Sequence, residues 1–283
     1  MRWKRRMVEE KGFIRYDPDR DRYSVNDAKT LSVVAAEHLL RGVLAARQHI
    51  RGRLLDVGCG SRPFALVYDR LVDESLGTEV PFSPYGTGQA DVLCFAESLP
   101  FPRECFDTVL LTEVLEHTLR PMTVLTECAR VVRSGGHVLV SVPFMYPLHG
   151  WPHDYWRFTQ YGLLRACRQA GLEPIQIRTK GGPGAVLVSF CTQIVTRATD
   201  GISRWMRLAQ PLRQYPPVRW TLLAPQKAFL ILSRSLRLPA VLDKLSPWMT
   251  LGFVVVAERA SAEVGPRSDR PADVEAMEDA AEW

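Results

Sequence analysis

RLLDVGCGSRPF, residues 53–64, runs through two leucines to an acid, Asp56, and then places Gly58 and Gly60 within three residues. The apolar run reads as a buried strand. Glycines at its carboxyl end read in two ways: as a tight turn, or as backbone that must come close to a ligand. The second reading has a physical basis, because ligands of open parallel sheets bind outside the carboxyl ends of the strands. Main-chain N–H groups and the next helix N-terminus favour negative charge there, and Pro63 suits the first turn of such a helix. A glycine-rich turn alone does not choose between the two. Glu79 shifts the balance, because it ends the next strand, 21 residues after Gly58, where a carboxylate accepts both hydroxyls of a ribose.

Outward from this turn the chain alternates in kind. Strands are predicted at 53–58, 74–80, 90–95, 106–114, 137–143, 173–179 and 250–259. Helical spacing recurs over 25–50, 121–133 and 159–171. Strands with continuous apolar runs, alternating with helices, predict an α/β fold with a mostly parallel sheet covered on both faces. Residues 1–23 are polar and aromatic, with DPDRDRY as a loop signature. Between the sixth and seventh strands lie about 70 residues, far more than an ordinary connection of about 4–6. They read as a helical insert or lid, divided by Pro211, Pro216, Pro217, Pro225 and Pro239. The organisation expected is an N-terminal helical region (1–52), a core (53–180), the insert (181–249), the last core strand (250–259) and a disordered acidic tail (260–283).

Composition narrows the function classes. The chain has 283 residues, 46% hydrophobic and 24% charged, with a net charge of +5. Six cysteines are scattered without a CxxC pair, so reduced thiols in a cytoplasmic protein are expected and a metal site is not. No apolar stretch follows the basic MRWKRR, so no export signal is expected. Residues 180–250 hold ten Lys/Arg against Asp200 and Asp243, while the segment from 259 holds three arginines and seven acids.

A third segment, ESLPFPRECFDTVLLTEVLEH (97–117), makes the pattern specific. Together with DVGCG, Glu79 and SGGHVLVSVP it resembles a class I S-adenosylmethionine-dependent methyltransferase of the type 11 group, almost continuously over 53–180. PLHGWPHDYWRFTQYGL (147–163) further resembles a bacterial subgroup associated with polysaccharide and secondary-metabolite pathways. The resemblance implies a Rossmann-like seven-stranded sheet whose last strand lies antiparallel beside the fifth, and S-adenosyl-L-methionine as cofactor. It implies that Asp56, Gly58, Cys59 and Gly60 border the methionine part and that Glu79 holds the ribose. Phe95, Ala96 and Glu97 would face the adenine, and the segment Glu113–His117 would run under the methyl-donor sulfur. Two positions depart from the family pattern. Arg62 stands where a third glycine is usual, so the turn must avoid positive φ there or bear its cost. Phe95 stands where an adenine-binding acid is usual, which leaves that hydrogen bond to Glu97 or a main-chain carbonyl.

Methyl transfer from a sulfonium is an in-line displacement in which the protein mainly positions the acceptor. A hydroxyl acceptor also benefits from a general base. WPHDYWRFT (151–159) supplies His153 beside Asp154 as catalytic candidates, with Tyr155, Trp156, Arg157, His117 and His149 as substrate-side candidates. The competing reading is a lid whose aromatic residues only pack, with His153 capping a loop. The leading expectation is O-methylation of a sugar, glycan or other small polar acceptor. N- or C-methylation of a natural-product or quinone-like acceptor, and a non-catalytic cofactor-binding scaffold, stay open. Nucleic acid is not expected as a partner: TEVLEH lacks the Asn/Asp-Pro-Pro-aromatic clamp, and the positive charge sits in an apolar insert. In PQKAFLILSRSLRL, Phe229, Leu232 and Leu236 share one helical face and Lys227, Arg234 and Arg237 lie toward the other. A helix of this kind covers the sheet, docks a lipid-linked substrate, or lies on an anionic membrane through about 202–246.

Overall fold

A computed structural model describes residues 7–208, 210–235 and 248–260. A small antiparallel sheet comes first, with β1 (Glu9–Lys11), β2 (Ile14–Asp17) and β3 (Arg22–Val25). After α1 (Val33–Ala45) the main sheet begins with β4 (Arg53–Val57), then α2 (Ala65–Tyr68), β5 (Glu74–Glu79), β6 (Val92–Leu93) and β7 (Phe106–Thr112). A 3₁₀ turn (Leu115–His117), α3 (Pro121–Val131), β8 (Val132–Pro143), α4 (Gln160–Gln169) and β9 (Leu172–Thr179) follow. The insert is α5 (Pro183–Trp205) and α6 (Pro216–Ser235), and β10 (Gly252–Arg259) closes the fold.

The seven strands order as β6-β5-β4-β7-β8-β10-β9, with β10 antiparallel to both β8 and β9. The expected sheet and its reversed last strand are therefore present. β4 occupies the centre of the parallel half, between β5 and β7, which is where the strand order reverses. Period-2 alternation along the strands separates the two covered faces. Leu54, Leu110, Leu139, Val254 and Val256 pack toward α1 and α2. Leu55, Val57, Val109, Leu111, Val138, Val140 and Val255 pack toward α3 and α4. With both faces covered, these strands lose the polar-out pattern and become the unbroken apolar runs of the sequence.

Residues 9–25 differ from the loop and helical region expected of the N-terminus. Ile14 is fully buried and Tyr16 nearly so, while Arg15 and Asp17 alternate outward. Arg70 lies 3.7 Å over the Tyr16 ring, and the Tyr23 hydroxyl donates to the Leu66 carbonyl, tying this small sheet to α2.

The insert packs on α1 rather than standing apart. Val33 and Val34 meet Ala185, Val186, Leu223 and Leu230 in one apolar cluster. Buried Gln226 reinforces it: its Oε1 accepts from Val34 N (3.2 Å), and its Nε2 donates to Leu31 O (2.8 Å). The Val34 N–H is one that a helix N-terminus otherwise leaves unpaired. Leu222, Leu223, Gln226, Phe229 and Leu230 form the inward stripe of α6 at helical spacing. Leu232 is not on it and is 54% exposed, so the face expected to pair it with Phe229 is split. Pro225 lies within α6 and does not divide it. The Arg234 side chain, all of 236–246 in the expected membrane-contact stretch, Leu236 and Arg237 among them, and the tail from 261 lie outside what is described. No helix among the described residues is long and apolar enough to cross a membrane.

Candidate active site

The turn after β4 has the left-handed backbone its glycines suggested. Gly58 and Gly60 sit at φ +67° and +51°. A Cβ on Gly58 would lie 2.5 Å from a Val114 methyl, so only glycine fits against the strap that follows β7. The Gly60 N–H donates to Glu79 Oε2 at 2.8 Å, and Glu79 Oε1 accepts from Val80 N at 2.9 Å. The acid at the end of β5 is thus locked beside the glycine turn, 8% exposed. Cys59 is buried, and burial pushes its thiol up to about 12, so it packs as a small apolar group.

Arg62 takes positive φ (+50°) and bears the cost. Its guanidinium donates to the Tyr68 hydroxyl (3.1 Å), Asp91 Oδ2 (3.0 Å) and Ser75 Oγ (3.1 Å). The Tyr68 hydroxyl in turn donates to Asp56 Oδ2 at 2.9 Å. Asp91 also accepts the Gly77 N–H, so the network spans β4, β5 and the approach to β6. Burial pushes the Asp56 carboxyl up to about 7, against the opposing pull of Tyr68 and Arg62. Its ordinary value is 3.8, so the unfolded chain releases this proton before the folded chain does. Stability present below pH 4 is therefore lost as pH rises to about 7, and then levels off, by on the order of 2–4 kcal/mol. Urea unfolding of Asp56→Asn across pH 4–8 should show a flatter profile over that window, with the Tyr68 hydrogen bond kept. An unchanged slope would place the titration elsewhere.

At the adenine side, Phe95 is 53% exposed and its ring centroid lies 5.9 Å from that of Phe82. Ala96 is buried behind it and Glu97 is half-buried. The two open rings, from the loops after β5 and β6, border the same end of the sheet as Glu79.

Glu113 does not stand free under the donor sulfur. It takes positive φ (+54°), its Oε1 accepts from Ser141 Oγ at 2.7 Å, and the Lys180 ammonium, 4% exposed, pairs with it directly. Burial works to raise its carboxyl, but Lys180 and the Ser141 hydroxyl outweigh it and hold the group below the usual carboxylate range. Lys180 was absent from the sequence-based expectations: it is 67 residues from its partner and meets it only through the β8–β10–β9 pairing.

The segment after β8 folds as a strap over the 3₁₀ turn. The Tyr155 and Trp156 N–H groups donate to the Glu116 carbonyl, and Trp156 Nε1 donates to Thr118 O at 2.9 Å. The side chains of His153 and Asp154 find different partners. The exposed His153 ring places Nδ1 2.8 Å from the Tyr155 hydroxyl. Asp154 accepts both Arg157 guanidinium nitrogens (2.6 and 2.7 Å) and the His149 N–H (2.9 Å), contacts that brace the strap. Its carboxyl is held low because Arg157 and that N–H outweigh burial. What the strap does bring together is His117, His149 and Glu116. The two rings meet edge to face at 4.9 Å. Glu116 is fully buried between them, and neither carboxylate oxygen has a hydrogen-bond partner. Sequence reasoning took in Glu116 only within the segment 113–117, although an acid directly after Leu115, just beyond an apolar strand, is the kind of buried charge that signals a site.

Residues 55–140 match the family model described as a methyltransferase domain. Over this segment the chain is similar to a methyltransferase domain. The match spans the glycine turn, Glu79 and the 3₁₀ turn and stops before the strap. Over 150 residues the chain is 31% identical to a ubiquinone biosynthesis O-methyltransferase of Cereibacter sphaeroides, covering 44% of this chain and 61% of that one. A protein of the same description from Dechloromonas aromatica is 29% identical over 154 residues, covering 44% and 66%. The chain thus spans about three-fifths of these relatives' length. Among solved structures, the [4+2]-cyclase SpnF superposes with a TM-score of 0.51 at 20% identity, covering 80% of this chain and 82% of that one. That likeness extends the shared fold beyond the matched segment. Because that protein is described as a cyclase, the fold by itself does not specify methyl transfer.

Proposed function

We propose that the chain binds S-adenosylmethionine at the carboxyl ends of β4, β5 and β6 and transfers its methyl group to a hydroxyl of a small ring-bearing acceptor. The observation that carries this reading is the cradle in which left-handed Gly58 and Gly60 stand against the buried carboxylate of Glu79. In it, Glu79 takes the ribose hydroxyls, Phe95 and Phe82 flank the adenine, and the backbone at 58–60 approaches the methionine part. The acceptor lies beneath the 147–158 strap. When bound, S-adenosylmethionine would supply the electrophilic methyl group, and the chain's part would be to hold the acceptor oxygen in line with it and to take up the hydroxyl proton. His153 serves as the base, its Nδ1 held by Tyr155 and its Nε2 left for the proton.

A phenolic, quinone-precursor acceptor has the better support. The relatives named above are described as ubiquinone biosynthesis O-methyltransferases. The polar group on which a sugar reading rested, Asp154 with Arg157, is engaged internally. On α5, Leu187, Ile194, Ile202 and Trp205 are largely exposed beside Arg197 and Arg204, which suits an anionic membrane surface where a lipophilic acceptor resides. The test is methyl transfer from labelled donor to a panel of catechols, monophenols and sugars. Labelled product from a catechol is expected, with His153→Ala lowering single-turnover rate by about 10²–10⁴-fold at unchanged cofactor affinity. Transfer to sugars alone would overturn the acceptor assignment.

A further inference from the structure

We propose that the acidic segment 261–283, which lies outside the described residues, docks on the outward face of α5 and covers it. That helix is amphipathic in the inverted sense. Its inward positions hold Ser189, Thr192, Thr196 and Ser203, all buried, whereas Leu187, Phe190, Ile194, Ile202 and Trp205 face outward. Leu187, Ile194 and Trp205 are 64%, 65% and 84% exposed. The hydroxyls fit the inside because they bond within the helix: Thr192 Oγ1 donates to Val188 O at 2.8 Å and Ser203 Oγ to Thr199 O at 2.6 Å. The large apolar side chains are left without cover among the described residues. Exposed apolar residues met singly need no explanation, but a stripe along roughly 27 Å of helix marks an interaction site.

Charge selects the occupant. Arg197, Arg204 and Arg207 rim this face, all exposed, and Asp200, the one acidic residue of α5, is held by Arg213 at 3.2 Å. A second copy laid on the face would bring these arginines toward their counterparts, so like charges oppose self-association there. Segment 261–283 has the opposite sign, with seven acids against Arg267 and Arg270. Five of those acids, Asp273, Glu275, Glu278, Asp279 and Glu282, fall within 272–283, a stretch without a basic residue that also carries Val274, Met277 and Trp283. A segment this acidic cannot build a core alone, but its apolar residues suit the stripe while its acids meet the arginine rim. Reach is sufficient. α5 begins three residues after Lys180, whose N–H donates to Gly252 O at the start of β10, whereas Arg259 ends that strand. The segment must travel back along β10, about 25 Å, and the residues of 261–283 extend to about 75 Å. An anionic membrane would use the same arginines and apolar residues, so membrane and segment are competitors for one face.

Exposed Cys191 lies on this face, one turn from Leu187 and next to Ile194 along it, and reports on the cover without an added probe. The test follows its alkylation by iodoacetamide, read by peptide mass spectrometry, in the full chain and in a chain stopped after residue 260. A tethered segment at an effective concentration of about 1 mM that binds its face at about 0.1 mM leaves it open about one-tenth of the time, so labelling in the full chain should be about tenfold slower. Half-buried Cys94 and Cys105 are internal controls and should label equally in both chains. At about 1 M salt, where the screening length falls to about 3 Å, the difference should shrink. Within the full chain, Arg204→Glu with Arg207→Glu should restore most of the fast rate, and so should Glu275→Lys with Glu278→Lys and Glu282→Lys. Combining the two sets should slow labelling again, because the charges then match in reverse. Equal labelling of Cys191 in the full and shortened chains would overturn the proposal. So would slowing that grows with protein concentration, which assigns the face to a second copy, or slowing seen only with phosphatidylglycerol vesicles, which assigns it to the membrane.

Discussion

Lys180→Ala is expected to lower the unfolding free energy by about 1–3 kcal/mol, the cost of leaving the partly exposed Glu113 carboxylate without its ammonium partner. Lys180 follows β9 and is held from both sides by backbone, its N–H on Gly252 O at 2.7 Å and its carbonyl accepting from Leu251 N. Its side chain, 5% exposed, ends on Glu113. Without the ammonium, the Glu113 carboxylate keeps the Ser141 hydroxyl as its hydrogen-bond partner among the described residues. The pH dependence has a definite sign. With its folded value held below the ordinary 4.5, Glu113 contributes stability that is complete above that value and lost as pH falls through the folded one. The Lys180→Ala chain should lose that acid-side dependence, because burial then raises the carboxyl. Lys180→Met combined with Glu113→Gln removes both charges and should recover much of the loss. Urea unfolding at pH 7 measures all three chains, and a Lys180→Ala loss under about 1 kcal/mol would mean that the pair is solvated.

Glu79→Ala carries the second large effect, on ligand binding. A carboxylate accepting hydroxyls contributes about 1.5–3 kcal/mol for each charge-assisted bond, so S-adenosylhomocysteine affinity should fall by about 10–150-fold. The same residue accepts the Gly60 and Val80 N–H groups, so some stability is lost as well. Glu79→Gln separates the contributions: its amide oxygen still accepts one backbone N–H, while the charge that strengthens the ribose bonds is gone. Calorimetry on samples shown to be folded should rank wild type above Gln and Gln above Ala. Equal affinities would remove Glu79 from the ribose site.

The parts legible in the sequence are those fixed by local pattern. Buried strands are unbroken apolar runs because both faces of the sheet are covered, and the reversed β10 followed from the family resemblance of 53–180. Gly58 and Gly60 announced their backbone because few other residues adopt it. Arg62 left two outcomes open, and it takes positive φ with three polar groups holding its guanidinium. The strands at 9–25 were missed because they are three or four residues long with charges on their outer face, which resembles a loop. His153 and Asp154 looked like one unit because they are neighbours, yet in a non-helical strap their side chains find different partners. Glu116 with His149, and Glu113 with Lys180, join residues 33 and 67 positions apart. Such pairs are set by strand order, and no local spacing encodes them.

The most direct measurement is a calorimetric titration of the full chain with S-adenosylmethionine and, separately, S-adenosylhomocysteine. One saturable site with micromolar affinity, about −8 kcal/mol, is predicted for both, weakened in Glu79→Ala and in Phe95→Ala. Absence of binding by the folded wild-type chain at millimolar ligand would contradict the account: the glycine turn, Glu79 and the Phe82–Phe95 pair would then be features of the fold without a cofactor to hold.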